Sequence, residues 1–147
     1  MWVARREATL VRVHRHLRPG PNAPARARRA VTELLTHVDE DRADDVNLLV
    51  SELVTNAVRH ANLREAERIQ LVVCARPGHI EVKVGYPEHR RFAPTLPRER
   101  DERPEQDDET GWGLLVVDRL ADRWSIVEGA GRVLAWTEVD LRHHHAA

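Results

Sequence analysis

The sequence has very little of several residue types, and each shortage excludes a class of protein. Cys74 is the only cysteine, so an internal disulfide is excluded, and within the apolar run IQLVVCA it is predicted to be a small buried hydrophobe. No stretch approaches the roughly 18 apolar residues of a membrane span. The N-terminus also lacks the uninterrupted apolar segment of a signal peptide. We therefore expect a cytoplasmic protein with no membrane partner.

Net charge is also nearly absent, at −1 for 147 residues. No global field then draws the chain to nucleic acid, and we expect no direct nucleic-acid partner. Lys83 is the only lysine among 23 basic residues, a bias typical of a GC-rich genome rather than of arginine chemistry. The hydrophobic content of 41% is enough for the core of one compact domain.

The first half of the chain predicts a strand, two helices and a hairpin. Residues 7–17 alternate apolar and polar side chains, as a half-exposed strand does. After the turn RPGPNAP, Pro24 can be the first helical residue of a helix from about 25 to 38. A second helix is predicted from about 43 to 62. The runs RIQLVVCARP and HIEVKVGY then form a hairpin around Gly78.

The second half predicts a long loop, a short helix and two strands. Residues 88–110 are rich in charge and poor in apolar side chains, and a loop of this length is functional or disordered. GWGLLVVDRLAD is predicted as a short helix, and two strands follow around a Gly-Ala-Gly turn. The order β-α-α-β-β-loop-α-β-β predicts an α+β two-layer sandwich, with one sheet and its helices on one face.

These elements form one predicted domain at 24–141, which residues 1–23 join as an N-terminal strand and turn. Residues 142–147, RHHHAA, are a separate tail. Adjacent histidines in a tail rarely form a native metal site, so we interpret this run as solvated or added for expression.

The predicted second helix contains SELVTNAVRHA, in which Glu52, Asn56 and His60 recur every fourth residue. At about 100° per residue they lie roughly 40° apart along the rim of the apolar face. An amide oxygen there can coordinate Mg²⁺, and a carboxylate one turn earlier can orient or deprotonate a nucleophile. The pattern also allows a solvated Glu52, an Asn56 bonded to backbone and a boundary histidine.

The second motif, TGWGLLVV, places Gly111 and Gly113 at the start of a helix. Free N–H groups at a helix start bind anions, and glycine lets the backbone approach a phosphate closely. A bare G-x-G also occurs in ordinary turns. Because this G-x-G motif directly follows the long loop, it indicates that the loop is a lid that covers the phosphates of a bound ligand.

Together, VSELVTNAVRHA, the hairpin, the long loop and DETGWGLLVVDRLADRW resemble one family over about residues 24–140. It is the histidine-kinase-like ATPases of the GHKL superfamily, in the branch of anti-sigma factor serine kinases. The resemblance implies the Bergerat fold, a mixed sheet covered by helices, with ATP and Mg²⁺ held between helices and lid.

The resemblance also implies roles for individual residues. Glu52 matches the general base that activates the serine of a protein substrate, and Asn56 matches the Mg²⁺ ligand. Arg59 and His60 match the end of the motif, beside the nucleotide. The remaining matched positions are the two glycines beside the phosphates, the residue between them and the leucine that follows: Gly111, Trp112, Gly113 and Leu114.

The sequence departs from the family pattern at three positions. Val84 stands where the family has an Asp that binds the adenine amino group. The last strand offers Val133 or Leu134 where the family has a Thr, and Thr137 lies too far along. Trp112 replaces the usual Arg between the glycines, so we expect it to contact the lid or a partner. The phosphate half of the site is retained, whereas the adenine half is altered.

Two functions therefore stay open. The first is an ATP-binding regulator of the anti-sigma type, which forms a homodimer, holds a sigma factor and phosphorylates a serine of a STAS-type antagonist protein. The second is a pseudo-kinase, a non-catalytic interaction module of the same fold with weak or no ATP binding. The intact Glu52 and Asn56 favour the first, and Val84 with Trp112 favours the second.

Overall fold

A computed structural model of the chain describes residues 11–89, 98–99 and 111–141, and for 98–99 and 111–114 it describes the backbone alone. The predicted order of helices and strands is confirmed, with a two-residue strand added inside the predicted loop. The elements are β1 (Val11–Leu17), α1 (Ala23–Leu35), α2 (Glu40–His60), β2 (Ile69–Arg76), β3 (His79–Pro87), β4 (Arg98–Glu99), α3 (Gly111–Leu120), β5 (Arg123–Gly129) and β6 (Arg132–Asp140).

Some predictions lie outside the described residues. These are the start of the first strand at 7–10, most of the loop at 88–110 and the tail at 142–147. Within the described part of the chain, none of the helices has the length and apolar content needed to cross a membrane.

The strands form one sheet in the order β1-β2-β3-β6-β5-β4. All five described pairings between neighbours are antiparallel, and the mixed sheet implied by the resemblance is wrong in this detail. Two helices connect β1 to β2. The first helix runs back along the sheet and the second runs forward, so β2 enters the sheet antiparallel to β1. Strands β3 and β5 run parallel to each other, but β6 lies between them and hydrogen-bonds to both.

One face of the sheet carries the helices and the core. A cross-strand row made of Val13, Val73, Val82, Thr137 and Trp124 crosses five strands on this face, and all five side chains are buried. Each helix packs its apolar face against this layer. The α+β two-layer architecture is therefore confirmed.

The helix boundaries follow capping and dipole rules. Pro24 lies in the first turn of α1, where its missing N–H costs nothing. Acidic Glu40 and Asp41 open α2, and basic Arg59 and His60 close it, as the helix dipole favours. Both helices begin two or three residues before the predicted positions, and at α2 the polar first turn lacks the apolar periodicity used to find it.

Trp124 ties α3 to β5. Its side chain is buried, and its indole N–H donates a 3.0 Å hydrogen bond to Asp118 Oδ1 in the last part of α3. Trp136, by contrast, is half-buried on the face without helices.

The face without described helices carries an ion-pair network. Glu81 and Glu138 are directly opposite each other on β3 and β6, and both are buried. Lys83 Nζ lies 3.0 Å from Glu81 Oε1, and Arg123 pairs with Glu138. Burial raises the pKa of Glu81, but hydrogen bonds from Trp136 and Lys83 outweigh it, so the pKa is lowered overall.

A lowered pKa of Glu81 gives a testable pH dependence. Its ionised form stabilises the fold at pH values above the ordinary 4.5, and this contribution is lost as the pH falls through the lower folded-state pKa. Lys83→Met should cost less than about 1 kcal/mol of unfolding free energy at pH 7, since the pair is partly exposed. The cost should shrink as the pH falls below 4.5 and through the lowered folded-state pKa of Glu81.

Urea denaturation at several pH values measures this effect. Arg29→Met is the matched control, because it removes one positive charge from an exposed position of α1. A cost for Lys83→Met that stays constant from pH 7 down to the acid unfolding of the protein would show that Lys83 does not act through the Glu81 carboxylate.

Candidate functional site

Helix α2 lies between the other two helices on the sheet. Helix α1 packs on β1 and β2, α2 on β3, and α3 on β5. Arg28 Nη1 of α1 donates a 2.7 Å hydrogen bond to the Ser51 hydroxyl, which fixes the flank of α2 that faces α1. At about 100° per residue, Glu52 and Asn56 lie on the other flank, the side on which α3 packs against α2.

The register of the sheet brings the predicted site to one end of the domain. The chain leaves α2 at His60 and enters β2 at Ile69, at the end of the sheet where β3 finishes. Helix α3 leads into β5 at Arg123, which lies at the opposite end. The N-terminus of α3 therefore points towards the end of the sheet where α2 ends.

The polar side chains of α2 are held at the edge of the core. Leu53 and Ala57 are buried, whereas Glu52, Asn56 and His60 are each half-buried. Within the described part of the chain, neither the Glu52 carboxylate nor the Asn56 amide forms a side-chain hydrogen bond or an ion pair. The alternative in which Asn56 bonds a neighbouring backbone group is therefore not seen. Half-buried polar groups without a protein partner are available to a ligand.

Of the other residues that match the family motifs, Arg59 is described with its side chain, whereas those of the second motif are described by their backbone alone. Arg59 is exposed on the solvent side of α2. Gly111, Trp112, Gly113 and Leu114 form the first turn of α3 in the backbone, as predicted, and their side chains lie outside the description. The first N–H groups of a helix have no partner within it, so this turn offers donors for an anion.

The adenine side of the predicted site is apolar at the matched position. Val84 is fully buried on the helix-facing side of β3, between Leu71 and Ala135, and offers no acceptor for an amino group. Tyr86 follows it on the same face and is half-buried against the core. Tyr86 is the first polar residue after Val84 on the helix-facing side of β3. Strand alternation predicts this position, because Tyr86 follows Val84 by two residues.

The structure of β6 shows which residue lies where the family has a Thr near the adenine. Val133 is buried among the helix-facing residues, whereas Leu134 is 44% exposed on the other face. Thr137 is buried, and its hydroxyl donates a 3.1 Å hydrogen bond to the Val82 carbonyl. Thr137 is therefore part of the core, and Val133 is the β6 residue facing the predicted adenine side.

A polar contact not found from the sequence ties the end of β3 to the segment after α2. His89 Nε2 lies 2.7 and 2.8 Å from the two carboxylate oxygens of Glu67. The backbone N–H of Arg64 donates to Glu67 Oε1 over 2.8 Å. This backbone hydrogen bond is the largest cause that lowers the pKa of Glu67, and His89 adds to it. Residues 22 apart in sequence leave no local pattern that reveals such a pair.

The residues present fit Mg²⁺ and phosphate better than they fit adenine. The described residues include no group of three or more His, Cys, Asp or Glu that could hold a metal ion. Mg²⁺ bound with a nucleotide needs only one or two protein oxygens, because phosphates and water complete its shell, and Asn56 offers one. Val84 does not fit the adenine amino group.

The chain matches the model of the histidine kinase-like ATPase domain over residues 17–137. It therefore belongs to the histidine kinase-like ATPases, the family of the GHKL type that its two motifs resemble. This membership implies ATP binding, usually with Mg²⁺. A comparison with individually curated proteins gives no match.

The place of Thr137 in the core gives a second prediction. Thr137→Val keeps the side-chain volume but removes the donor to the Val82 carbonyl, so unfolding should cost about 1 kcal/mol less. Nucleotide affinity should not change, because the hydroxyl points into the core.

Chemical denaturation and calorimetry with Mg²⁺-ATP measure the two effects. The exposed Thr32→Val serves as the control. A fall in affinity with unchanged stability would instead place Thr137 at the nucleotide.

Proposed function

We propose that this protein is an ATP-binding regulator of the anti-sigma factor kinase type, which acts in the cytoplasm as a homodimer. It would hold a sigma factor and phosphorylate a serine of a STAS-type antagonist protein. The observation that supports this best is the pair of half-buried side chains, Glu52 and Asn56, on the α3 side of α2, neither of which has a hydrogen-bond or ion-pair partner among the described residues.

Each residue would have a separate task in the transfer. The Asn56 amide oxygen would coordinate Mg²⁺, and the N–H groups of the first turn of α3 would hold the phosphates. Bound Mg²⁺ would neutralise charge on the β- and γ-phosphates. Glu52 would accept the hydroxyl proton of the substrate serine. The serine oxygen would then bond to the γ-phosphorus as ADP leaves.

A specific observation favours a second candidate, a pseudo-kinase that binds its partners without transferring phosphate. Val84 is fully buried and apolar where the family has its adenine-binding Asp. Losing one hydrogen bond to the exocyclic amine costs on the order of 1–3 kcal/mol of discrimination. The phosphate side of the site is unaffected by this change, so we place nucleotide binding first.

Nucleotide binding is the primary test. Calorimetry should detect Mg²⁺-ATP binding, and Asn56→Ala should weaken it at least tenfold, or about 1.4 kcal/mol. Thr55→Ala is the matched control, because Thr55 is a half-buried neighbour on the flank of α2 away from Asn56. The absence of binding by the unchanged protein at millimolar nucleotide would support the pseudo-kinase.

Glu52→Gln separates catalysis from binding. The amide keeps the shape of the side chain but cannot accept the serine proton, so transfer of labelled γ-phosphate to an antagonist protein should fall at least about 100-fold. Mg²⁺-ATP affinity should change little. Equal transfer rates for both proteins would remove Glu52 from the role of general base.

A further inference from the structure

Strand β1 presents two histidines side by side at an edge of the sheet. His14 and His16 are two residues apart on β1, so both lie on the face without described helices. Both are exposed, and their ring centroids are 4.9 Å apart with 41° between the ring planes. The ATPase chemistry proposed above uses neither residue, because they lie on the opposite face from α2.

The spacing of the two rings fits a shared transition-metal ion. Two imidazoles that bind one tetrahedral Zn²⁺ through nitrogens at about 2.0–2.1 Å have centroids about 5 Å apart. His14 Nε2 lies 2.9 Å from Gln70 Nε2, and an amide nitrogen can only donate. With the Gln70 amide nitrogen as donor, the His14 Nε2 atom is unprotonated and directs its lone pair towards Gln70. A metal ion would take that lone pair in place of the amide.

One chain leaves this site half complete, with two imidazoles. Among the described strands β1 is hydrogen-bonded to β2 alone, so its outer edge is open to another strand. The His14 carbonyl accepts a 2.9 Å hydrogen bond from the Arg15 side chain. If a second copy adds its β1 antiparallel with Arg15 opposite Arg15, His14 lies opposite His16 of the second copy. Opposite Cβ atoms in such a pair are about 4.5–5.5 Å apart, so four imidazoles meet on one face.

We propose that His14 and His16 bind Zn²⁺ together with the same two histidines of a second copy, so that the metal joins two chains edge to edge. Four imidazole nitrogens suit tetrahedral Zn²⁺. Arg12 and Arg15 are exposed on the same strand, and their like charges oppose pairing of the edges in the absence of metal. Association through this edge is therefore metal-dependent.

Light scattering after size exclusion tests the proposal. All proteins carry His143→Ala, His144→Ala and His145→Ala, so that the C-terminal histidines cannot bind the metal. Half an equivalent of Zn²⁺ per chain should double the mass measured in EDTA if the metal-free protein is a monomer, and at least double it if the metal-free protein is a dimer with two β1 edges. Calorimetry should give one Zn²⁺ per two chains.

His14→Ala and His16→Ala should each abolish the mass change and lower the Zn²⁺ affinity at least tenfold. His37→Ala, which removes an exposed histidine at the end of α1, should behave as the parent does. Zinc binding without a change of mass, or a doubling of mass that survives both β1 substitutions, would overturn the proposal.

Discussion

The packing of α2 on the sheet, between α1 and α3, determines where every polar group of the candidate site lies. The buried side of α2 is apolar and includes Leu53 and Ala57. The contact between Arg28 and Ser51 holds one flank against α1. The remaining flank faces α3, and Glu52 and Asn56 lie there. A rotation of α2 by one residue, about 100°, would take these two side chains away from α3.

The two halves of the candidate site rest on different elements. The phosphate side combines the end of α2 with the first turn of α3, and both contribute groups that the core leaves free. The adenine side is formed by β3 and β6, where Val84 and Val133 extend the core to the end of the sheet. The two halves therefore use different residues, although both rest on one hydrophobic core. This separation makes nucleotide binding and phosphoryl transfer distinct questions for this protein.

The two faces of the sheet serve different needs. The helix-facing side is apolar and holds the domain together, with the Thr137 hydroxyl satisfied inside it. The other face balances Glu81 and Glu138 with Lys83 and Arg123, so that each of the two opposed carboxylates lies beside a partner of opposite charge.

The sequence by itself determined the order of helices and strands, the apolar face of α2 and the motif residues on its rim, because all three follow from local periodicity. The tertiary structure decided what periodicity cannot carry. It showed that the described sheet is antiparallel, that Val133 rather than Leu134 faces the helices, and that Thr137 belongs to the core. The pair between Glu67 and His89 also emerged only there. Contacts of this kind join residues that are distant in the chain, and their partners are set by strand register and packing.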